Sequence, residues 1–348
     1  MVATLQHNPA PVTQNFYEKS FQQLSDIQQR QTGLLVGAAV ADAAAHALDG
    51  HTAEEIATIV AQAGPLHGDD EDPIVFARVN SPGRQPGGLR HHSYTYHLFS
   101  QLLRVMAAAR GDFPVQYVKD EWVSAATSYP GCFTREHASL LHVAGVVLPL
   151  PVIYPWADDA TLRGYARDFI TFLTEPPPQH EAASRKEVHA YVDSMLGVTL
   201  RYLQSNPDPC KNAAFMAVPG TCDIFPENVA LFCPPTLTDS QHGATADNTD
   251  GSRSVPPFPA RPLSTDVCTV RECLTVVQSA RTYAEGVKAS IRLGGPVSQR
   301  SLIVGALLGA RMGVRRIPIR WLSATPDHVS LVTYALQIAQ WSWNPPHH

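Results

Sequence analysis

The sequence predicts an all-α chain. Three observations carry that prediction. Apolar residues recur at helical spacing in nearly every segment, no segment alternates with period two between hairpin turns, and prolines, glycines or capping residues close the periodic runs. In chain order, Gln29 to Ala47 is rich in alanine and leucine and reads as the first long helix. Thr52 and Glu55 form a capping box ahead of EEIATIVAQA, which stops at Gly64-Pro65. Leu98, Leu102, Leu103 and Met106 mark a helix ending near Gly111. Asp159 is placed to cap a helix carrying Leu162, Tyr165, Ala166, Phe169 and Leu173, which Pro176 to Pro178 terminate. Val188, Tyr191, Val192, Met195 and Tyr202 mark a long amphipathic helix. Val267, Val270, Leu274 and Val277 begin another, which Ala284, Val287 and Ile291 extend. Ser301 to Met312 and His328 to Trp341 complete the set.

Composition bounds what such a chain can be. Of 348 residues, 44% are apolar and only 16% charged, enough to bury a sizeable core. The net charge of −5 argues against a polybasic binder of nucleic acid or of a membrane surface. No stretch reaches the roughly 18 apolar residues that a bilayer span needs. Leu140 to Tyr154 comes nearest, and it holds Pro149 and Pro151. The first residues lack a basic start followed by an apolar run, so no secretory signal is expected and the protein is placed in the cytoplasm. The six cysteines form no CxxC pair and read as free thiols. Residues 1–15 are polar and read as a tail. Residues 16–348 read as a single domain, with a Pro-rich surface insertion at 205–264.

The most specific stretch is GGPVSQRSLIVGALLGARMGVRRIPIRW, Gly294 to Trp321. Gly305 and Gly309 lie one turn apart on a helical face that Ser301 shares. Gly33, Gly37 and Ala41 repeat that spacing near the N-terminus. Two glycine-lined faces can bring helix backbones unusually close; alternatively each glycine only accommodates a local side chain.

This C-terminal stretch resembles the signature of the ADP-ribosylglycohydrolase family, in which a GGDTDT motif precedes a helix with GALLGA and an IPxxW turn. GLLVGAAVADAAAHALD, Gly33 to Asp49, is similar to the family's N-terminal helix, with Ala41 in place of its last glycine. EHASLLHVAGVVLPL, Glu136 to Leu150, resembles its central helix. The resemblance implies a compact single-domain orthogonal helix bundle. It also implies a cleft in which family enzymes hold two Mg²⁺ ions on a TDDT-type motif, on an acid after the first helix and on the acids of the C-terminal motif.

The acids are largely missing here. The first motif falls on RHHS, Arg90 to Ser93, so that His91 and His92 take the aspartate positions, and no acid lies between Ile74 and Arg110. In the second motif the aspartates fall on Pro296 and Ser298 and the threonine on Gln299. Asp49 sits where the remaining ligand acid falls, with Asp42 nearby. Hard divalent cations need anionic oxygens, so the Mg²⁺ site is expected to be lost. The GGxxxxR form, Gly294 to Arg300, looks nearer to the J-crystallin and selenoprotein J branch, where the family aspartates are also altered.

Other candidates are weaker. His91, His92 and His97 have the wrong spacing for a helical metal pair, HGDDEDP (His67 to Pro73) reads as a solvated loop, and DNTDG (Asp247 to Gly251) lacks the closing glutamate of a calcium loop. The expectation is a non-catalytic protein of this fold with a structural or interaction role, with protein partners or within a larger assembly. It has no cofactor or metal, does not bind nucleic acid or membrane, and has His91, His92, Ser93, Pro296, Ser298 and Gln299 lining the cleft. The alternative is a hydrolase that cleaves a glycosidic bond of ADP-ribose at a reduced or atypical metal site, with Asp49 and Asp42 as its remaining acids. On either reading the cleft could still bind ADP-ribose.

Overall fold

The computed structural model describes residues 11–63, 73–77, 92–109, 116–118, 120, 145, 147–174, 192–193, 195–200, 202–203 and 265–341. The helices are α1 (Pro11–Gln22), α2 (Asp26–Ala45), α3 (Ala53–Ala63), α4 (Tyr94–Ala109), the short α5 (Leu150–Ile153) and α6 (Asp159–Thr174). After them come α7 (Thr265–Ser279), α8 (Tyr283–Arg292), α9 (Val297–Met312), the short α10 (Ile319–Ala324) and α11 (His328–Trp341). The described residues contain no strand, in agreement with the helical spacing. The insertion at 205–264 and residues 1–10 lie outside the described residues. The first helix begins at Pro11, inside the stretch read as a tail.

Two buried helices form the axis. From Gln31 to Ala45 every residue of α2 is buried, as is nearly all of α9 from Val297 to Ala310. They run antiparallel, Gly33 beside Gly309 and Gly37 beside Gly305. A Cβ at Gly33 would lie 2.8 Å from the Val314 nitrogen, and one at Gly305 would overlap the Ala41 methyl and the Gly37 carbonyl. The glycines therefore meet across the helix pair, as the repeated spacing predicts, and do not merely make room for local side chains. Tyr283 of α8 closes the seam, its hydroxyl donating to the Gly37 carbonyl at 2.6 Å. Trp321 of α10 packs edge-on against both Tyr283 and Phe76.

The outer helices are set by local signals. Ser25 caps α2 in a full capping box with Gln28. Thr52 and Glu55 exchange bonds at the start of α3, with the Thr52 amide donating at 2.8 Å and the Glu55 amide at 3.2 Å. The cap of α6 is Asp158, which accepts from the Thr161 amide at 2.7 Å, and not Asp159, which pairs one turn on with Arg163. The run from Val267 to Ile291 is two helices: it breaks after Ser279, and Thr282 caps the second by accepting from the Glu285 amide. α1 is anchored by the fully buried Tyr17, whose hydroxyl meets His328 Nδ1 at the start of α11.

Candidate functional site

The site forms where α2 ends and α9 begins. α2 runs into a single 3₁₀ turn, His46–Leu48, which delivers Asp49 in extended conformation. The backbone there is clamped to the glycine pair before α9: the Gly50 amide donates to the Gly295 carbonyl at 2.9 Å and the Gly295 amide to the His51 carbonyl at 2.7 Å. Gly294 and Gly295 have φ of 70° and 72°, the left-handed region that only glycine enters freely. A side chain at Gly294 would also meet the Thr52 backbone at 2.7 Å.

The clamp brings Ser298 onto Asp49, with the Ser298 amide donating to Asp49 Oδ1 at 3.0 Å. Ser298 is itself fully buried, and its hydroxyl lies 3.4 Å from His46 Nδ1. Burial raises the Asp49 carboxyl above its ordinary range; the Ser298 bonds and nearby His46 offset this in part, while the Asp42 charge adds to it.

Asp42 is fully buried one turn before the end of α2. Its Oδ2 accepts from the Ser93 amide at 2.9 Å and lies 3.0 Å from His92 Nδ1, and its Oδ1 accepts from the Ser93 hydroxyl. Ser93 Oγ also accepts from the Tyr96 amide at 3.1 Å, so one serine caps α4 and ties that helix to α2. The His92 ring stacks on Tyr96 with centroids 3.7 Å apart. Burial holds the Tyr96 phenol above its ordinary range. His92 Nε2 is buried and has no hydrogen-bond partner among the described residues.

Of the residues singled out in the sequence, Asp42, His92 and Ser93 stand together, and Asp49 stands with Ser298. Pro296 is exposed at the start of α9, Gln299 is half-buried beside Ser298, and His91 lies outside the described residues. His46 and Tyr96 belong to the site and were not singled out. Arg300, the last letter of GGxxxxR, has a packing role. It is 2% exposed and donates to the carbonyls of Ser290 and Gly294 and to Glu272, which holds the glycine turn against α8. No group of three or more His, Cys, Asp or Glu able to hold a metal ion occurs among the described residues. None of the described helices is long and apolar enough to cross a membrane.

The ADP-ribosylglycohydrolase family model matches residues 259–345, which hold α7 to α11 and therefore Ser298 but not Asp42 or Asp49. No curated protein matches the chain. A solved structure described as an ADP-ribosylglycohydrolase-related protein complex is similar over 92% of this chain and 100% of its own, with a TM-score of 0.58 and 19% identity. At that identity the likeness speaks for the fold alone. Together with the strand-free helical architecture, it shows that the chain has the all-α ADP-ribosylglycohydrolase fold.

Proposed function

We propose that this chain is a non-catalytic protein of the ADP-ribosylglycohydrolase fold, with a structural or interaction role within a larger assembly. The observation that carries the reading is the state of Asp42. Both of its oxygens face donors of the chain itself, the Ser93 amide and hydroxyl and the His92 ring. A carboxylate so engaged joins two helices and has little capacity left for a ligand.

The same chemistry argues against the family's Mg²⁺ pair. Mg²⁺ is held by carboxylate oxygens and water and favours near-octahedral geometry. Here an imidazole and a serine stand at the positions of the first and second acidic motifs, and a backbone N–H already points at Asp49. We accordingly read the cleft as one without metal or cofactor. The similar structure is described as a protein complex, which suits an assembly role here as well. The GGxxxxR form supports placement near the J-crystallin and selenoprotein J branch, and the burial of Arg300 gives that form a packing reason. We place the protein in the cytoplasm, with protein partners and without nucleic-acid or membrane binding.

The competing reading is a hydrolase acting on a glycosidic bond of ADP-ribose. One observation favours it: the raised Asp49 carboxyl, near the Asp42–His92 pair, has the character of an acid–base residue. Thermal unfolding with and without millimolar Mg²⁺ separates the two, because only a ligand of the native state stabilises it. An unchanged midpoint supports the non-catalytic reading. A rise of several degrees that Asp49→Ala abolishes would refute it. Co-purification from native cells then tests the assembly role, which predicts stoichiometric protein partners; recovery of the chain alone would contradict that role.

A further inference from the structure

At the opposite end of the α2–α9 pair lies a cavity of about 460 Å³ that the site chemistry does not use. It is bordered by Asp26, Gln29 and Arg30 from the start of α2 and by Arg311, Arg315 and Arg316 around the end of α9. With about 1.5 Å of rise per residue, its α2 border lies about 18–24 Å along the helix from Asp42. Four arginines thus border one space that, among the described residues, a single carboxylate residue, Asp26, shares with them.

Two of the four have structural duties. Arg30 donates to the Tyr202 carbonyl at 2.9 Å, and Arg311 Nη1 donates to the carbonyls of Val277 and Ala280 at 2.6 and 3.3 Å. Each guanidinium carries five N–H donors in a planar fork, so both retain donors beyond these bonds. Arg315 and Arg316 are exposed, and their side chains make no hydrogen bond or ion pair among the described residues. They sit on a 3₁₀ turn, Val314–Arg316, which Gly313 with φ of 82° swings away from the end of α9. That turn is held rigidly, because the Gly33 backbone packs against Gly313 and Val314. The arginines are therefore presented from a fixed scaffold.

We propose that this cavity is a binding site for a small, multiply charged phosphate anion such as a di- or triphosphate group. Arg matches phosphate oxygens in bidentate geometry, and several guanidiniums around one space favour a ligand whose charge is spread over linked phosphates more than a single small anion. Among the described residues no aromatic side chain borders the cavity, so the recognition proposed here rests on the phosphates and not on a stacked base. The site is independent of the reading of the Asp42–Asp49 site.

The test is titration calorimetry of the full chain with inorganic tripolyphosphate and, separately, orthophosphate. Saturable binding of tripolyphosphate is expected, about tenfold or more tighter than orthophosphate. The R315A/R316A variant removes two charges that make no hydrogen bond or ion pair among the described residues, so it should fold with an unchanged circular dichroism spectrum and bind about tenfold or more weakly. An R104A/R167A control removes equal charge from exposed positions elsewhere and should bind like the parent. Absence of saturable binding at millimolar tripolyphosphate, equal affinity for the two anions, or equal weakening in both double variants would overturn the proposal.

Discussion

The middle of the α2–α9 pair and the end that carries Asp42 and Asp49 obey different constraints. In the middle, Gly33, Gly37, Gly305 and Gly309 keep two backbones in contact, and any side chain there meets main chain that cannot move aside. At the Asp42 end, His92 and Ser298 stand where the resemblance leads one to expect acids, and they are hydrogen-bonded into the same framework. The contrast teaches that close packing and acidic chemistry are separable demands. In this chain the axis is held by backbone contact between glycines and the Asp42 end by a hydrogen-bonded joint.

The largest expected effect is in the middle. Gly309→Leu or Gly37→Leu should cost about 3 kcal/mol or more, because overpacking here is against backbone and not against a flexible side chain. Denaturant midpoints measure it, and wild-type stability in both variants would dissolve the contrast. Next comes the joint. Asp42→Ala leaves the buried Ser93 amide and hydroxyl and the His92 ring nitrogen facing a void, at a cost of about 3 kcal/mol. A cost near zero would show that Asp42 is not a structural residue.

The axis was legible in the sequence and the joint was not, for physical reasons. Small residues four apart on two segments narrow the choice to a close helix contact or room for local side chains, and the backbone atoms beside each glycine decide for the contact. The pairing of Asp42 with Ser93 and His92 joins residues about fifty positions apart through a loop, and no local spacing encodes it. His46 went unnoticed for the same reason: its partner, Ser298, is far along the chain. The break between α7 and α8 did carry a local sign, Thr282 followed by Glu285, which the continuous apolar stripe obscured. Asp158 and Asp159 are adjacent, and only geometry shows which of them caps.

A smaller effect sharpens the comparison at Asp49. Its carboxyl titrates above the ordinary 3.8, chiefly because burial disfavours the charge. The native state thus holds this proton to higher pH than the unfolded chain does. The stability linked to it is present at acid pH and is lost as pH rises from about 4 through the native value. Asp49→Asn keeps an acceptor for the Ser298 amide and removes the titration. Its unfolding midpoint should exceed the wild type's slightly at neutral pH and converge with it in acid. A variant less stable than wild type at neutral pH would mean that the charge of Asp49 supports the fold.

Turnover tests the non-catalytic reading most directly. Repurified protein in millimolar Mg²⁺, offered ADP-ribosylated arginine, ADP-ribosylated serine and free poly(ADP-ribose), is followed for released ADP-ribose. The expected result is release no faster than in protein-free buffer. Turnover that survives repurification and vanishes in Asp49→Asn would contradict it.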